Sequence, residues 1–286
     1  MLRIANIVMP GGIARQWYHP VDWPNFCWQV SLAKSWGATH ISTPCWGQHA
    51  PDADLEEVAT AIKIIEEEFG LKTILWPDKW LALDHGLWPK LNLFLSRFAQ
   101  DGRIVDIARE ADRVPLSLSL VVERLWLLKS FLLSHGVITP NQIMLGGGTP
   151  HGTAMLDRVG PKYLTHTLYH SIIQGHYQPD HPDGGDLFTS ELYGIKKQMH
   201  PDHRLVIVEI GWSDYVPGVG RLPHLIANTL RDGITASRVV GVAGVGVWCV
   251  SDQKDNPDMI EAAHGVIDMD TAAPKPGVLE SLLTWK

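Results

Sequence analysis

Cysteine is scarce in this chain. Cys27, Cys45 and Cys249 are three in 286 residues, widely spaced and odd in number. That excludes a disulfide framework or a zinc-knuckle spacing and leaves buried free thiols. Charge is thin as well: Lys, Arg, Asp and Glu make up 19% of the residues, with a formal net charge of −7. No basic run is present, so neither nucleic acid nor an anionic membrane surface is an expected partner. No apolar run is long enough to span a bilayer. Residues 1–6 lack an apolar leader and cleavage site, so the expected location is the cytoplasm, or release without a visible signal peptide. The glycine run Gly146-Gly147-Gly148 is not followed by Lys-Ser/Thr and sits in no G-x-G-x-x-G frame, which excludes the common nucleotide loops. Ser213 and Ser251 have no nucleophile-elbow context. No cofactor is called for.

What is present is an alternation of strand-like and helix-like runs. Residues 2–9, 39–43, 71–76, 142–145, 205–210 and 244–250 read as strands. Helices are expected over 25–36, 54–69, 116–133, 187–199 and 222–237. In the second of these Leu55, Val58, Ala59, Ile62, Ile65 and Phe69 share one face, and Gly70 ends it. Short turns between strand and helix indicate a parallel sheet. An α/β barrel needs about 250 residues, so the expectation is one (β/α)8 domain over 1–286. Residues 77–115 read as an insertion carrying short helices at 89–99 and 104–111. Residues 161–173 read as helical, grading into a strand towards His176 and Tyr177. An eighth strand is left to lie within 101–110 or 163–178, so one βα unit is expected to be irregular or missing.

The segment from Leu205 to Ser213 carries the most chemistry. Leu205, Val206, Ile207 and Val208 make a strand buried on both faces, which then presents Glu209, Gly211 and Trp212 at its C-terminal end. In parallel barrels, sites open at that end. A carboxylate beside a flat aromatic suits a sugar, with charge for the anomeric centre and a π-face for the ring. The structural alternative is a core glutamate satisfied by a neighbouring arginine or by backbone.

The twelve tryptophans strengthen the first reading by their placement. Trp46, Trp76, Trp80, Trp212 and Trp248 all fall at or just after expected strands, and Trp17, Tyr18 and Trp23 follow the first. Such a rim suggests a neutral oligo- or polysaccharide, with Trp46, Trp80, Trp212 and Trp248 as stacking surfaces. Polar groups expected on the same rim are Asp78, Thr149, His151, His176, Tyr177 and Asp252. Glycoside hydrolysis needs two carboxyls. Glu209 supplies one, and the second is not evident.

A bound metal is not expected. His166 and His170 are spaced i, i+4 on a predicted helix without the Glu of an H-E-x-x-H frame. His176, Asp180, His181, Asp183 and Asp186 read as a solvated turn. A metal-dependent barrel using His176, Asp180, His181 and Glu209 is the weakest reading.

Residues 170–286 resemble the retaining (β/α)8 glycosidases of glycoside hydrolase clan A. His176-Tyr177 resembles the clan's sixth-strand His-x-Tyr. Val208-Glu209-Ile210-Gly211-Trp212-Ser213 resembles its seventh-strand nucleophile motif. Val247-Trp248, with Gly265-Val266-Ile267-Asp268 and Pro274-Lys275-Pro276, resembles its eighth strand and tail. The resemblance implies a retaining hydrolase with Glu209 as nucleophile, Trp248 under the sugar, and His176 and Tyr177 orienting Glu209. The clan's acid/base glutamate follows the fourth strand. Its counterpart is expected at Thr149, which cannot protonate a leaving oxygen. That leaves Asp78, Asp157 or Asp252 to act, or a barrel that binds sugar without cleaving it.

Overall fold

The computed structural model describes residues 1–7, 22–51, 54–168, 184–252, 263–268 and 271–285. Its centre is a closed barrel of eight parallel strands: β1 (Leu2–Asn6), β2 (His40–Trp46), β3 (Lys72–Pro77), β4 (Ile104–Ala108), β5 (Ile143–Gly147), β6 (Tyr163–Thr167), β7 (Arg204–Ile210) and β8 (Gly244–Val247). Each strand neighbours the next in sequence, and β8 closes on β1. Helices follow the strands in turn: α1 (Trp23–Ser35), α2 (Leu55–Lys63), α3 (Lys79–Leu83), α4 (Trp88–Phe98), α5 (Leu118–Ser134), α6 (Pro150–Leu156), α7 (Gly184–Gln198), α8 (His224–Val240) and α9 (Val278–Leu283). No helix among the described residues is long and apolar enough to cross a membrane.

Two separate cores explain why the strands are apolar on both faces. Ile4, Ile74, Met144, Val206 and Val208 fill the barrel interior. A larger cluster, including Ile41, Leu75, Val105, Ile107, Leu145, Leu164, Ile207 and Ile210, packs the strands against the helices. Both are buried because parallel crossovers cover the outer face.

Both candidate regions for the missing strand hold one. Residues 104–108, expected to be helical within an insertion, are β4, so the stretch 77–115 supplies α3, α4 and the fourth strand. Residues 163–167, also expected to be helical, are β6. Ile104-Val105-Asp106-Ile107-Ala108 hides its alternation because Asp106 is an interior position occupied by an acid. In β6, His166 faces the helices, where its Nε2 meets Glu191 Oε1 at 2.6 Å and its Nδ1 meets Thr153 Oγ1 at 2.9 Å. It is therefore no half of a helical pair with His170, which lies outside the described residues. The fifth βα unit is complete but compact: α6 has seven residues and passes through a short 3-10 turn to Gly160.

Candidate active site

The C-terminal ends of the strands carry the polar residues of the barrel. By simple alternation Val206 and Val208 point inward and Glu209 would face the helices. The register prevents this. His166 pairs with Ile207 and Thr167 with Glu209, so one extra residue of β7 is accommodated in a bulge. A bulge re-aims the side chains that follow it, and Glu209 turns to the barrel axis, where it meets Arg109. The bulge needs a close neighbour: a Cβ on Gly246 would lie 2.1 Å from the Val208 carbonyl oxygen. That carbonyl is also capped, since Asn6 Nδ2 donates to Val208 O at 2.7 Å and to Val247 O at 2.9 Å.

Glu209 is 5% exposed. Its Oε1 accepts from Arg109 Nη1 at 3.0 Å, and no partner among the described residues binds Oε2. Arg109 follows β4 and is itself enclosed. Its fork donates to Asp106 Oδ2 at 2.7 Å, Asn6 Oδ1 at 2.9 Å and Ser42 Oγ at 2.9 Å. The guanidinium lies over Trp76, 3.7 Å from the ring centroid. Burial works against its charge, but Asp106 and Glu209 outweigh that and hold it above the usual range. Burial also drives Glu209 upward. Arg109 opposes this, the negative charges of Glu110 and Asp106 reinforce it, and the group settles at about 7.

Glu110 is the residue that sequence reasoning missed. It follows Arg109 at the rim in a left-handed conformation (φ 50°), which a non-glycine residue adopts only when its surroundings hold it there. Its Oε1 accepts from Thr167 Oγ1 at 3.1 Å and pairs with Arg113 Nη1 at 3.0 Å. Thr167 is the register partner of Glu209, and Glu110 stands near enough for its negative charge to act on Glu209. The turn behind Glu110 is clamped to the next one: Asp112 accepts from Gly148 N at 2.6 Å, Thr149 N at 3.0 Å and Thr149 Oγ1 at 2.6 Å. A signal existed, because an acid after an apolar run is the feature that singled out Glu209. Reading 104–111 as helix concealed it.

The other expected site residues divide. Trp248 is half-buried beside Trp76, ring centroids 6.1 Å apart at 65°, so an indole does stand next to the Glu209–Arg109 pair. Trp212 and Trp80 are half-buried and pack on the outer core. His151 is exposed on α6. Trp46 is a correction: it is fully buried and stacked on Phe94, centroids 5.5 Å apart, leaving no face for a ligand. Asp78 caps α3 by accepting from Trp80 N at 3.0 Å. Asp157 is tied to His203 Nδ1 at 2.6 Å. Thr149 caps α6 through Gly152 N at 2.9 Å. It follows β5 rather than β4, so it is not the counterpart of a fourth-strand acid. Asp252 is buried between Lys275 at 2.7 Å and Arg221 at 2.8 Å, beyond the last strand of the barrel. His176, Tyr177, Trp17, Tyr18, Asp180, His181 and Asp183 lie outside the described residues. Among the described residues no group of three or more His, Cys, Asp or Glu side chains could hold a metal.

No protein-family profile and no curated protein matches the sequence. Solved structures do match the fold. GH5_18 from Streptomyces cattleya, in complex with GlcNAc, superposes with a TM-score of 0.75 over 99% of this chain and 80% of that one, at 13% identity. The chain shares that fold. A GH5_18 from Bifidobacterium longum subsp. infantis gives 0.72 over 99% and 78%, at 16% identity. A family 5 xyloglucanase from Paenibacillus pabuli gives 0.67 over 98% and 97%, at 11% identity.

Proposed function

We propose that this protein is a retaining glycoside hydrolase acting on an oligo- or polysaccharide, with Glu209 as nucleophile and Glu110 as general acid/base. The observation that carries the reading is a pair of carboxyls at the barrel rim, Glu110 bonded to Thr167, the register partner of Glu209, and near enough for its charge to act on Glu209, with Trp76 and Trp248 packed together against Arg109. Double displacement needs such a pair, one group ionised to attack and one protonated to release the leaving oxygen. The roles follow from access. Glu209 sits deeper, on the strand itself and against Arg109, whose charge favours the attacking carboxylate. Glu110 stands at the rim with a side chain 20% exposed, where it can exchange protons with water.

In the first step Glu209 bonds to the anomeric carbon while Glu110 gives its proton to the departing oxygen. In the second, Glu110 takes a proton from water and the water oxygen displaces Glu209. Trp248 offers the indole face for the sugar. The fold neighbours support the substrate class, since they include proteins solved with GlcNAc and with Manb1-4GlcNAc. A barrel that binds without cleaving was favoured by Thr149 standing in place of an acid, and Glu110 removes that support.

The test pairs two variants on a panel of oligosaccharides and activated aryl glycosides. Glu209→Gln should abolish turnover on every substrate while leaving the fold intact. Glu110→Ala should lose natural oligosaccharides yet keep aryl glycosides with good leaving groups, with azide restoring turnover. Full activity in either variant, or calorimetric binding of the panel with no new reducing ends from the wild type, would overturn the proposal.

A further inference from the structure

Asp106 is a buried acid that the mechanism above does not use. It occupies an interior position of β4 and is fully enclosed. Its Oδ2 accepts from Arg109 Nε at 2.7 Å. Its Oδ1 is also buried and meets no hydrogen-bond donor among the described residues. An unsatisfied carboxylate oxygen in a protein interior is costly, and an asparagine would hold the guanidinium through one oxygen just as well. An acid here therefore does more than hydrogen bonding alone requires: burial pushes its carboxyl up while Arg109 pulls it back down, and among the described residues Arg109 is the cation bonded to it.

Geometry gives that charge a consequence. Arg109 lies between Asp106 and Glu209, with Nε on one carboxylate and Nη1 on the other. Its remaining hydrogen-bond partners, Asn6 and Ser42, are neutral, and so is Trp76 beneath it. Among the described residues, the charged groups acting on Glu209 are Arg109, Glu110 and Asp106, all from β4 and its rim. Thr167 on β6 and Asn6 on β1 contribute none.

We propose that Asp106 is a positioning residue for Glu209: it fixes the Arg109 fork and draws off part of the charge that Arg109 would otherwise lend to the glutamate. A lone buried Arg109 would hold Glu209 as a fully stabilised, weakly basic carboxylate. Sharing the cation between two acids leaves Glu209 more basic, and a more basic carboxylate is a stronger nucleophile. That last step rests on the nucleophile role assigned above, but the electrostatic claim does not.

The test uses Asp106→Asn, which keeps the shape and the Nε acceptor and removes the charge. Protein labelled with 13C at the glutamate carboxyl is titrated by NMR, and Glu209 is assigned from the signal lost in Glu209→Gln. The midpoint of Glu209 should fall in Asp106→Asn by about one pH unit or more, with the thermal transition still cooperative. An unmoved or higher midpoint overturns the proposal. If the variant does not fold, wild-type protein labelled at the aspartate carboxyl decides, with the Asp106 signal assigned through its own backbone resonances: the proposal requires Asp106 to be ionised at neutral pH, and a protonated Asp106 overturns it. Neither measurement uses a substrate, so failure of the hydrolase reading appears separately, as absence of turnover. Where turnover is present, the acid limb of kcat/KM should move with the NMR midpoint; a purely structural role would lower kcat/KM without shifting the limb.

Discussion

Asn6 Nδ2 donates to the carbonyl oxygen of Val208 at 2.7 Å, one residue before Glu209. The same nitrogen reaches Val247 O, and the Oδ1 of the same side chain accepts from Arg109 Nη1. One amide at the end of the first strand thus holds the bulge that aims the glutamate, the strand beside it and the arginine that faces it. Asparagine suits the position because it offers donors and an acceptor on one short stem.

Removing that amide should be costly. Asn6→Ala removes the amide from two buried carbonyls and one guanidinium hydrogen, and the expected loss is about 3 kcal/mol in urea denaturation. The loss of turnover should exceed what the unfolded fraction explains, because the bulge aims Glu209. A loss under about 1 kcal/mol would mean that water replaces the amide freely.

A second buried network lies beyond β8. Lys275 Nζ meets Asp214 Oδ2 at 3.0 Å and Asp252 Oδ1 at 2.7 Å, and the lysine side chain is 1% exposed. Lys275→Met leaves two buried aspartates with Arg221 as their shared cation among the described residues, and breaking such a set costs about 3–5 kcal/mol. Chemical denaturation should show that loss. Asp252→Asn should leave the pH profile of turnover unchanged, since Asp252 is structural; a displaced acid limb would return it to the site.

The barrel was legible wherever a strand obeyed its period. The runs at β1, β3, β5, β7 and β8 are mostly apolar and end in glycine, aromatic or polar residues, so the parallel sheet follows from sequence. β4 and β6 were not legible, for one shared reason: each places a polar side chain where apolar residues are expected. Asp106 serves Arg109, and His166 serves Glu191 and Thr153. Losing β4 shifted the strand count, and the shifted count put the fourth-strand counterpart at Thr149, which follows β5, and passed over Glu110, which follows β4. Trp46 misled differently, since nothing local separates an indole at a strand end that faces solvent from one that packs on Phe94.

His40 gives a stability test independent of the site. It is 8% exposed on β2; burial and then the charge of Lys72 push it down to about 4 from 6.5. The fold therefore holds it neutral. The unfolded chain binds a proton below about pH 6.5, so stability is full above that value and falls as pH drops towards 4. The shift corresponds to about 3 kcal/mol. The stability advantage of wild type over His40→Gln should shrink by that order between pH 6.5 and 4, and a constant difference across this window would contradict it.

The pH dependence of turnover tests the role assigned to Glu209 most directly. Attack requires its ionised form, and the free protein holds the group at about 7. On the acid side kcat/KM should therefore rise about tenfold per pH unit and level off near neutrality. An ordinary glutamate would level off more than two units lower. Arg109→Gln removes the cation that favours the carboxylate, so the limb should move to higher pH while kcat/KM falls; circular dichroism at each pH separates this from unfolding. If the limb instead lies near pH 4.5 and is indifferent to Arg109, Glu209 is not the group that must ionise, and the assignment of nucleophile and acid between Glu209 and Glu110 has to be reversed or abandoned.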